Sequence, residues 1–214
     1  MSRRKGLFVT LEGPDGSGKS TQARLLTEKL REAGYKTVLT REPGGSPLAE
    51  KIRGLLLDPA NRDLTDGAEL LLFEAARNQH VHDTVLPALA QGKVVLCDRF
   101  VDSTTAYQVA GRGLRAAEVA WLNRYGSSGL KPDLTLCFDI PVAEGLRRAK
   151  QAKGGRDRME QTERAFRERV RRGFLALARR EPRRIKRINV SGRAVDDVAA
   201  EAWSLLAAKL KVKA

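Results

Sequence analysis

Cysteine is nearly absent from this chain of 214 residues: Cys97 and Cys137 each lie in an apolar run ("VVLCD", "LTLCFDI"), and no C-x-x-C pair exists. The spacing supports neither metal nor redox work, and each reads as a small buried thiol. Aromatic residues are only 5% of the total, so the interior is expected to be built mainly from Leu, Val and Ala. No apolar run reaches the length that crosses a bilayer. The basic start "MSRRKG" leads into a strand-like run far too short for a signal-peptide core, so the expected location is cytoplasmic. Internal repeats and low-complexity linkers are also missing, and one domain over residues 1–214 is expected.

What the chain has in excess is positive charge, with 40 Lys and Arg against 26 Asp and Glu, a net charge of +14 and a pI near 10.3. That balance suits a nucleic-acid binder, a membrane-surface protein or an enzyme of polyanionic substrates. Roughly two-fifths of the cations fall between Arg147 and Arg187. A strand-binding surface would interleave them with aromatics, yet only Phe166 and Phe174 are aromatic there. With Val170 and Leu177 those two rings form a helical stripe, which predicts a buried face with solvated charges opposite.

Strand-like runs occur at 7–11, 36–40, 94–97, 134–140 and 185–190. Helical spacing covers 20–33, 48–57, 67–90 with a bend at Pro87, 116–125, 142–152, 163–180 and 195–210. The alternation predicts an α/β fold of three layers, a parallel sheet of about five strands between helices. The first, third and fourth runs alternate little between apolar and polar, as strands covered on both faces do. One compositional break, the basic and glycine-interrupted "AKQAKGGRDRME" (about 149–160), reads as a lid.

"LEGPDGSGKS" contains Gly13, four residues, then Gly18, Lys19 and Ser20, the P-loop pattern, between a strand and a helix. The glycines let successive N–H groups face phosphate oxygens, the helix start adds its positive end, Lys19 bridges the outer phosphates and Ser20 offers a hydroxyl to Mg2+. The expected phosphate cradle is Gly13, Asp15, Gly16, Ser17, Gly18, Lys19, Ser20 and Thr21. "VVLCDRF" sets Asp98 and Arg99 at the carboxyl end of the third strand, where ligands bind in such sheets. Asp98 is the expected second Mg2+ partner, and a cation at Arg99 suits an anionic acceptor. Phe73 and Arg77 are spaced i, i+4 and share a helix face, able to stack a base and bond its edge, or else a core ring and a surface charge.

"EGPDGSGKST", "TREPGGS", "FEAARNQ", "CDRF" with "STTAYQ", and "DRMEQ" together resemble the thymidylate kinase family, over about Gly6 to Ile188. The resemblance implies a P-loop NTPase-type fold, ATP as donor with Mg2+, dTMP as acceptor, a homodimer joined through helices and a lid over ATP. It also implies roles: Asp15 toward the sugar 3'-hydroxyl, Arg53 and Arg99 on the acceptor phosphate, and Phe73 and Arg77 on thymine. Ser103, Thr104, Tyr107 and Gln108 would line the nucleoside pocket, with Glu42 and Pro43 as its floor. No membrane or nucleic-acid partner is expected.

Three positions depart from the family pattern. Gly16 stands where some members carry a P-loop arginine, so the transition-state cation must come from elsewhere; Arg156, then Lys153, are the candidates, with Arg158 anchoring the lid through Asp157 or Glu160. Lys153 replaces the arginine expected before the glycine pair, and a point charge is not equivalent to a fork. Phe100 replaces a Tyr or His. The competing readings are a kinase for another nucleoside monophosphate, since one methyl group separates thymine from uracil, a P-loop nucleic-acid-binding ATPase, and an inactive regulatory member.

Overall fold

The computed structural model describes residues 6–151, 158–159 and 162–211. Five strands, β1 (Leu7–Glu12), β2 (Thr37–Arg41), β3 (Val94–Asp98), β4 (Leu134–Asp139) and β5 (Ile185–Asn189), form one sheet in the order β2-β3-β1-β4-β5, with every neighbouring pair parallel. The order follows from hydrophobicity. All of β1 and β4 and nearly all of β3 are buried, so these take the centre, while β2 and β5, with exposed polar positions, take the edges.

The pleat separates two cores. Leu7, Val9, Leu11, Leu96, Leu136 and Phe138 point to one face, under α1 (Lys19–Glu32) and α9 (Val195–Lys211). Phe8, Val95 and Cys97 point to the other, against Val81, Val85, Leu89 and Phe100. Cys137 and Ile185 meet the predicted stripe Phe166, Val170, Phe174 and Leu177 on α8 (Arg164–Arg180). Helices on both faces of a parallel sheet make three layers, as the alternation predicts.

The helix expected over 67–90 is broken before Pro87, not at it. α3 (Asp66–His80) gives way to a wider π turn at Val81–Val85, and α4 (Leu86–Ala90) then starts with Pro87 in its first turn. Proline lacks the N–H and its ring crowds the carbonyl four residues earlier, so the wider turn absorbs it upstream. The remaining helices are α2 (Pro47–Leu57), α5 (Val101–Thr104) continuing into a π segment at Thr105–Gly111, α6 (Ala116–Gly126) and α7 (Val142–Gln151). Periodicity misses Val101–Gly111 because much of its inward face is polar: Asp102, Ser103, Thr104 and Gln108 are all buried.

Some cations between Arg147 and Arg187 do more than solvate a face. Arg171, with the exposed Arg187 beside it, grips Asp139, 2% exposed at the end of β4, and Arg184 forks onto Asp102.

Candidate active site

The parallel register aligns the strand ends: Leu11 pairs with Asp98, and Asp98 with Arg41. Gly13, Glu42 and Arg99, which follow β1, β2 and β3, therefore emerge along one carboxyl edge of the sheet.

In the phosphate loop Gly16 has φ 75° and Gly18 φ 82°, a left-handed region that favours glycine. Gly16 is further constrained by a neighbour, because a Cβ there would lie 2.1 Å from the carbonyl oxygen of Gly145 in α7. The arginine some family members carry at this place has no room here. Lys19, 6% exposed, turns its ammonium into the loop and donates to the Pro14 carbonyl at 2.8 Å and toward the Ser17 hydroxyl at 3.4 Å. Burial, with Arg99 adding repulsion, pushes Lys19 down to about 8. Ser20 Oγ donates to Asp98 Oδ2 at 2.6 Å, and the buried Asp98 Oδ1 has no hydrogen-bond partner among the described residues. A hydroxyl and a carboxylate oxygen with unspent acceptor capacity, beside a phosphate cradle, are a donor set that fits Mg2+. Thr21 sits half-buried in the first turn of α1.

Beside the loop opens a cavity of about 640 Å3, counting its mouth, and it gathers the expected acceptor residues. Asp15, Glu42, Pro43, Arg53, Phe73, Arg77, Arg99, Ser103, Thr104, Tyr107 and Gln108 all line it, with Leu57, Phe100 and Met159. Arg77 is neither a surface charge nor a loose one. It is 2% exposed and donates to Glu42 (2.8 Å), Glu74 (2.5 Å), Asn123 (2.8 Å) and Thr104 (2.8 Å), leaving one N–H of its second terminal nitrogen unspent among these bonds. Its guanidinium stacks over Phe100 at 5.3 Å, a contact that needs the ring but not a hydroxyl. Glu42, joined to Pro43 by a cis bond, is braced by His80, whose other ring nitrogen meets Thr40. Cys97 is close enough to complete a metal-sized cluster with Glu42 and His80. Both imidazole nitrogens are already hydrogen-bonded and burial pushes the thiol far up, so the group acts as a strut for Glu42. Arg53 is tied to the Pro43 carbonyl at 2.7 Å.

Arg99 has φ 74°, a strained value for a residue with a side chain, of the kind that persists where surroundings over-determine it. Here the surroundings are the Leu11 carbonyl, which accepts from Arg99 N, and Glu12, a fully buried carboxyl that receives Phe100 N at 2.7 Å and the Ser103 hydroxyl. Burial, then Asp102, pushes Glu12 up to about 8 against those hydrogen bonds. The kink aims the Arg99 guanidinium at Asp15 (2.5 Å) across the Tyr107 ring (5.2 Å). Burial alone would raise Asp15, but Arg99, Lys19 and Arg167 together hold its carboxyl below the usual range.

The lid candidates Lys153 and Arg156 lie outside the described residues, as do Asp157 and Glu160. Arg158 reaches Glu69 on α3 at 2.6 Å and the Leu56 carbonyl at 2.9 Å. Glu69, fully buried, also holds Gln108 at 3.0 Å and Arg112. Sequence reading passed over Glu69, Glu74, Asn123, Glu12 and Arg167. For Glu69 the signal was present, since Glu69, Phe73 and Arg77 follow one another at i, i+4, i+8 on one face. Arg167 offered none, standing among five arginines between Arg164 and Arg172.

Comparison with known proteins agrees with this geometry. The family model "Thymidylate kinase" matches residues 11–202. The chain is 50% identical over 206 residues to the thymidylate kinase of Ectopseudomonas mendocina (strain ymp), covering 96% of this chain and 97% of that one. It is 55% identical over 179 residues to the thymidylate kinase of Pseudomonas putida (strain GB-1), covering 84% and 85%. Among solved structures, thymidylate kinase from Ehrlichia chaffeensis superimposes with a TM-score of 0.76 at 37% identity, covering 94% of this chain and 98% of that one. A P-loop whose neighbouring cavity collects the acceptor residues, in a chain this similar throughout, belongs to the thymidylate kinase family.

Proposed function

We propose that this single-domain chain transfers the terminal phosphoryl group of ATP to dTMP, giving dTDP and ADP. The observation that carries the reading is the cavity opening at Asp15 of the phosphate loop, in which Arg53, Phe73, Arg77, Arg99 and Tyr107 converge. The acceptor is a phosphate monoester, mostly dianionic at neutral pH because its second pKa is about 6. It is already a nucleophile and needs no strong base. The obstacle is repulsion between polyanions, so catalysis rests on positioning and positive charge.

In this reading Arg99 and Arg53 hold the acceptor phosphate, Phe73 stacks on thymine while the remaining N–H of Arg77 meets its edge, and Asp15 receives the sugar 3'-hydroxyl. Ser103, Thr104, Tyr107 and Gln108 enclose the nucleoside above Glu42 and Pro43. Backbone N–H groups of Gly13 to Thr21 and the Lys19 ammonium hold the ATP phosphates. Mg2+, when held by Ser20 and Asp98, neutralises charge on the phosphate oxygens. Lid cations such as Arg156 and Lys153 complete the charge.

The protein works as a cytoplasmic homodimer, joined through its helices. Supporting the dimer are exposed apolar side chains on neighbouring helices: Leu71 on α3, and Trp121 and Tyr125, stacked at 5.6 Å on α6. No helix among the described residues is long and apolar enough to cross a membrane.

The test is ADP formation from ATP and Mg2+ with dTMP, dUMP, dGMP, dCMP, AMP or no acceptor, run in parallel. Production with dTMP, and less with dUMP, supports the reading. Turnover indifferent to the acceptor makes water the recipient and overturns it.

A further inference from the structure

Asp15 carries a second guanidinium that the acceptor cavity does not account for. Arg167 Nη1 donates to Asp15 Oδ2 at 3.1 Å, from a residue 152 positions along the chain, and its Nε points to the Thr162 carbonyl at 3.3 Å. The side chain is 10% exposed. It lines a narrow cleft with Pro14, Tyr107, Val142, Leu146 and Val170, which shares only Asp15 and Tyr107 with the cavity that holds Phe73 and Arg77. On the other side of the carboxylate, Oδ1 receives Arg99 at 2.5 Å and the Tyr107 hydroxyl at 3.3 Å.

Both oxygens of Asp15 are thus gripped, by guanidinium groups from two directions, and the carboxylate plane is fixed. A fixed carboxylate whose Oδ1 already takes two donors offers its remaining lone pair, on Oδ2, in one direction only. An arginine cannot perform this task from the loop itself, because any side chain at Gly16 collides with Gly145. The cation must enter from another element, and α8 passes close enough to supply it.

We propose that Arg167 is a positioning residue for the acceptor sugar, locking Asp15 in the orientation that receives the 3'-hydroxyl of dTMP. This rests on the reading that Asp15 meets that hydroxyl. Arg167 itself touches no substrate atom; it acts through the carboxylate.

Steady-state kinetics of wild type, Arg167→Gln and Arg167→Lys, with dTMP and with 2',3'-dideoxythymidine 5'-monophosphate, test the proposal. The expected result for Arg167→Gln is a KM for dTMP raised about tenfold, a KM for ATP within threefold of wild type, and a dTMP preference over the dideoxy analogue that collapses toward one. Arg167→Lys keeps the charge without the fork and restores part of the preference. A purely structural role would instead weaken both acceptors and ATP alike. If the wild type prefers dTMP and Arg167→Gln keeps that preference, the proposal is overturned while the Asp15 reading stands. If the wild type shows no preference, the Asp15 reading fails and the proposal with it. Should Arg167→Gln not fold, as read by circular dichroism, an Arg167→Lys protein with unaltered preference overturns the proposal.

Discussion

Replacing Gly16 by alanine inserts one carbon atom where there is no space for it. The added Cβ would stand 2.1 Å from the Gly145 oxygen and 2.7 Å from its carbonyl carbon, both backbone atoms that no rotamer change can move. Gly145 reciprocates: its own Cβ would lie 2.6 Å from the backbone carbonyl oxygen of Asp15. To restore ordinary contact, the loop or the start of α7 must shift by about 1 Å, a displacement that costs about 100-fold when it misplaces catalytic groups. Two penalties add in stability. The left-handed φ of 75° costs an alanine about 1–2 kcal/mol, and overpacking costs about 1–3 kcal/mol more. Gly34→Ala separates them, because Gly34 has φ 83° with nothing within 4 Å and bears only the first penalty. Urea unfolding and kcat/KM for ATP of both variants are the assay. Gly16→Ala is expected to lose about 2–5 kcal/mol and about 100-fold in kcat/KM, against about 1–2 kcal/mol and unchanged activity for Gly34→Ala. Equal stability of the two variants, with Gly16→Ala within threefold of wild-type activity, refutes the steric argument.

Lys19 titrates near 8 in the ligand-free protein, below its unfolded value, so the folded state binds fewer protons and stability rises with pH between about 8 and 10.4. ATP phosphates draw the proton back, so binding at pH 8–9 takes up a proton and weakens as pH rises further; calorimetry in buffers of different ionisation enthalpy reads this, and identical heats would contradict it. Arg77→Leu strands Glu42 and Glu74 in the interior and is expected to cost about 3–5 kcal/mol in urea unfolding as well as raising the KM for dTMP, and a loss under 1 kcal/mol argues against a buried network. Asp98→Asn is expected to raise the Mg2+ concentration for half-maximal activity at least tenfold with the dTMP KM little changed; an unshifted Mg2+ titration removes Asp98 from that role. Trp121→Glu places a charge on the exposed aromatic pair, and sedimentation velocity should show the dimer shifting to monomer, whereas an unaltered dimer locates the interface elsewhere.

Sequence reading reached as far as patterns confined to one element. Runs buried on both faces identified β1, β3 and β4, the glycine spacing located the phosphate loop, and the i, i+4 spacing of Phe73 and Arg77 put both on one face of α3, which the structure turns toward the cavity. It failed where polar groups face inward, as along Val101–Gly111, because apolar periodicity assumes that what is buried is apolar. It failed also at Val81–Val85, where the effect of Pro87 is felt upstream of the residue that causes it.

By itself the sequence determined a parallel α/β fold and a phosphate loop, since each depends on spacing along the chain, while the residues around an acceptor pocket came from its resemblance to the thymidylate kinase family. Only the tertiary structure decided what those residues are tied to: that Arg77 is held by Glu42, Glu74 and Asn123, that Arg158 is anchored on Glu69, that Gly16 is closed by Gly145, and that Arg167, alone among its neighbouring arginines, reaches Asp15. Local spacing tells which way a side chain faces on its own helix or strand. Hydrogen-bond partners are chosen within about 3 Å through space, where residues far apart in the chain meet.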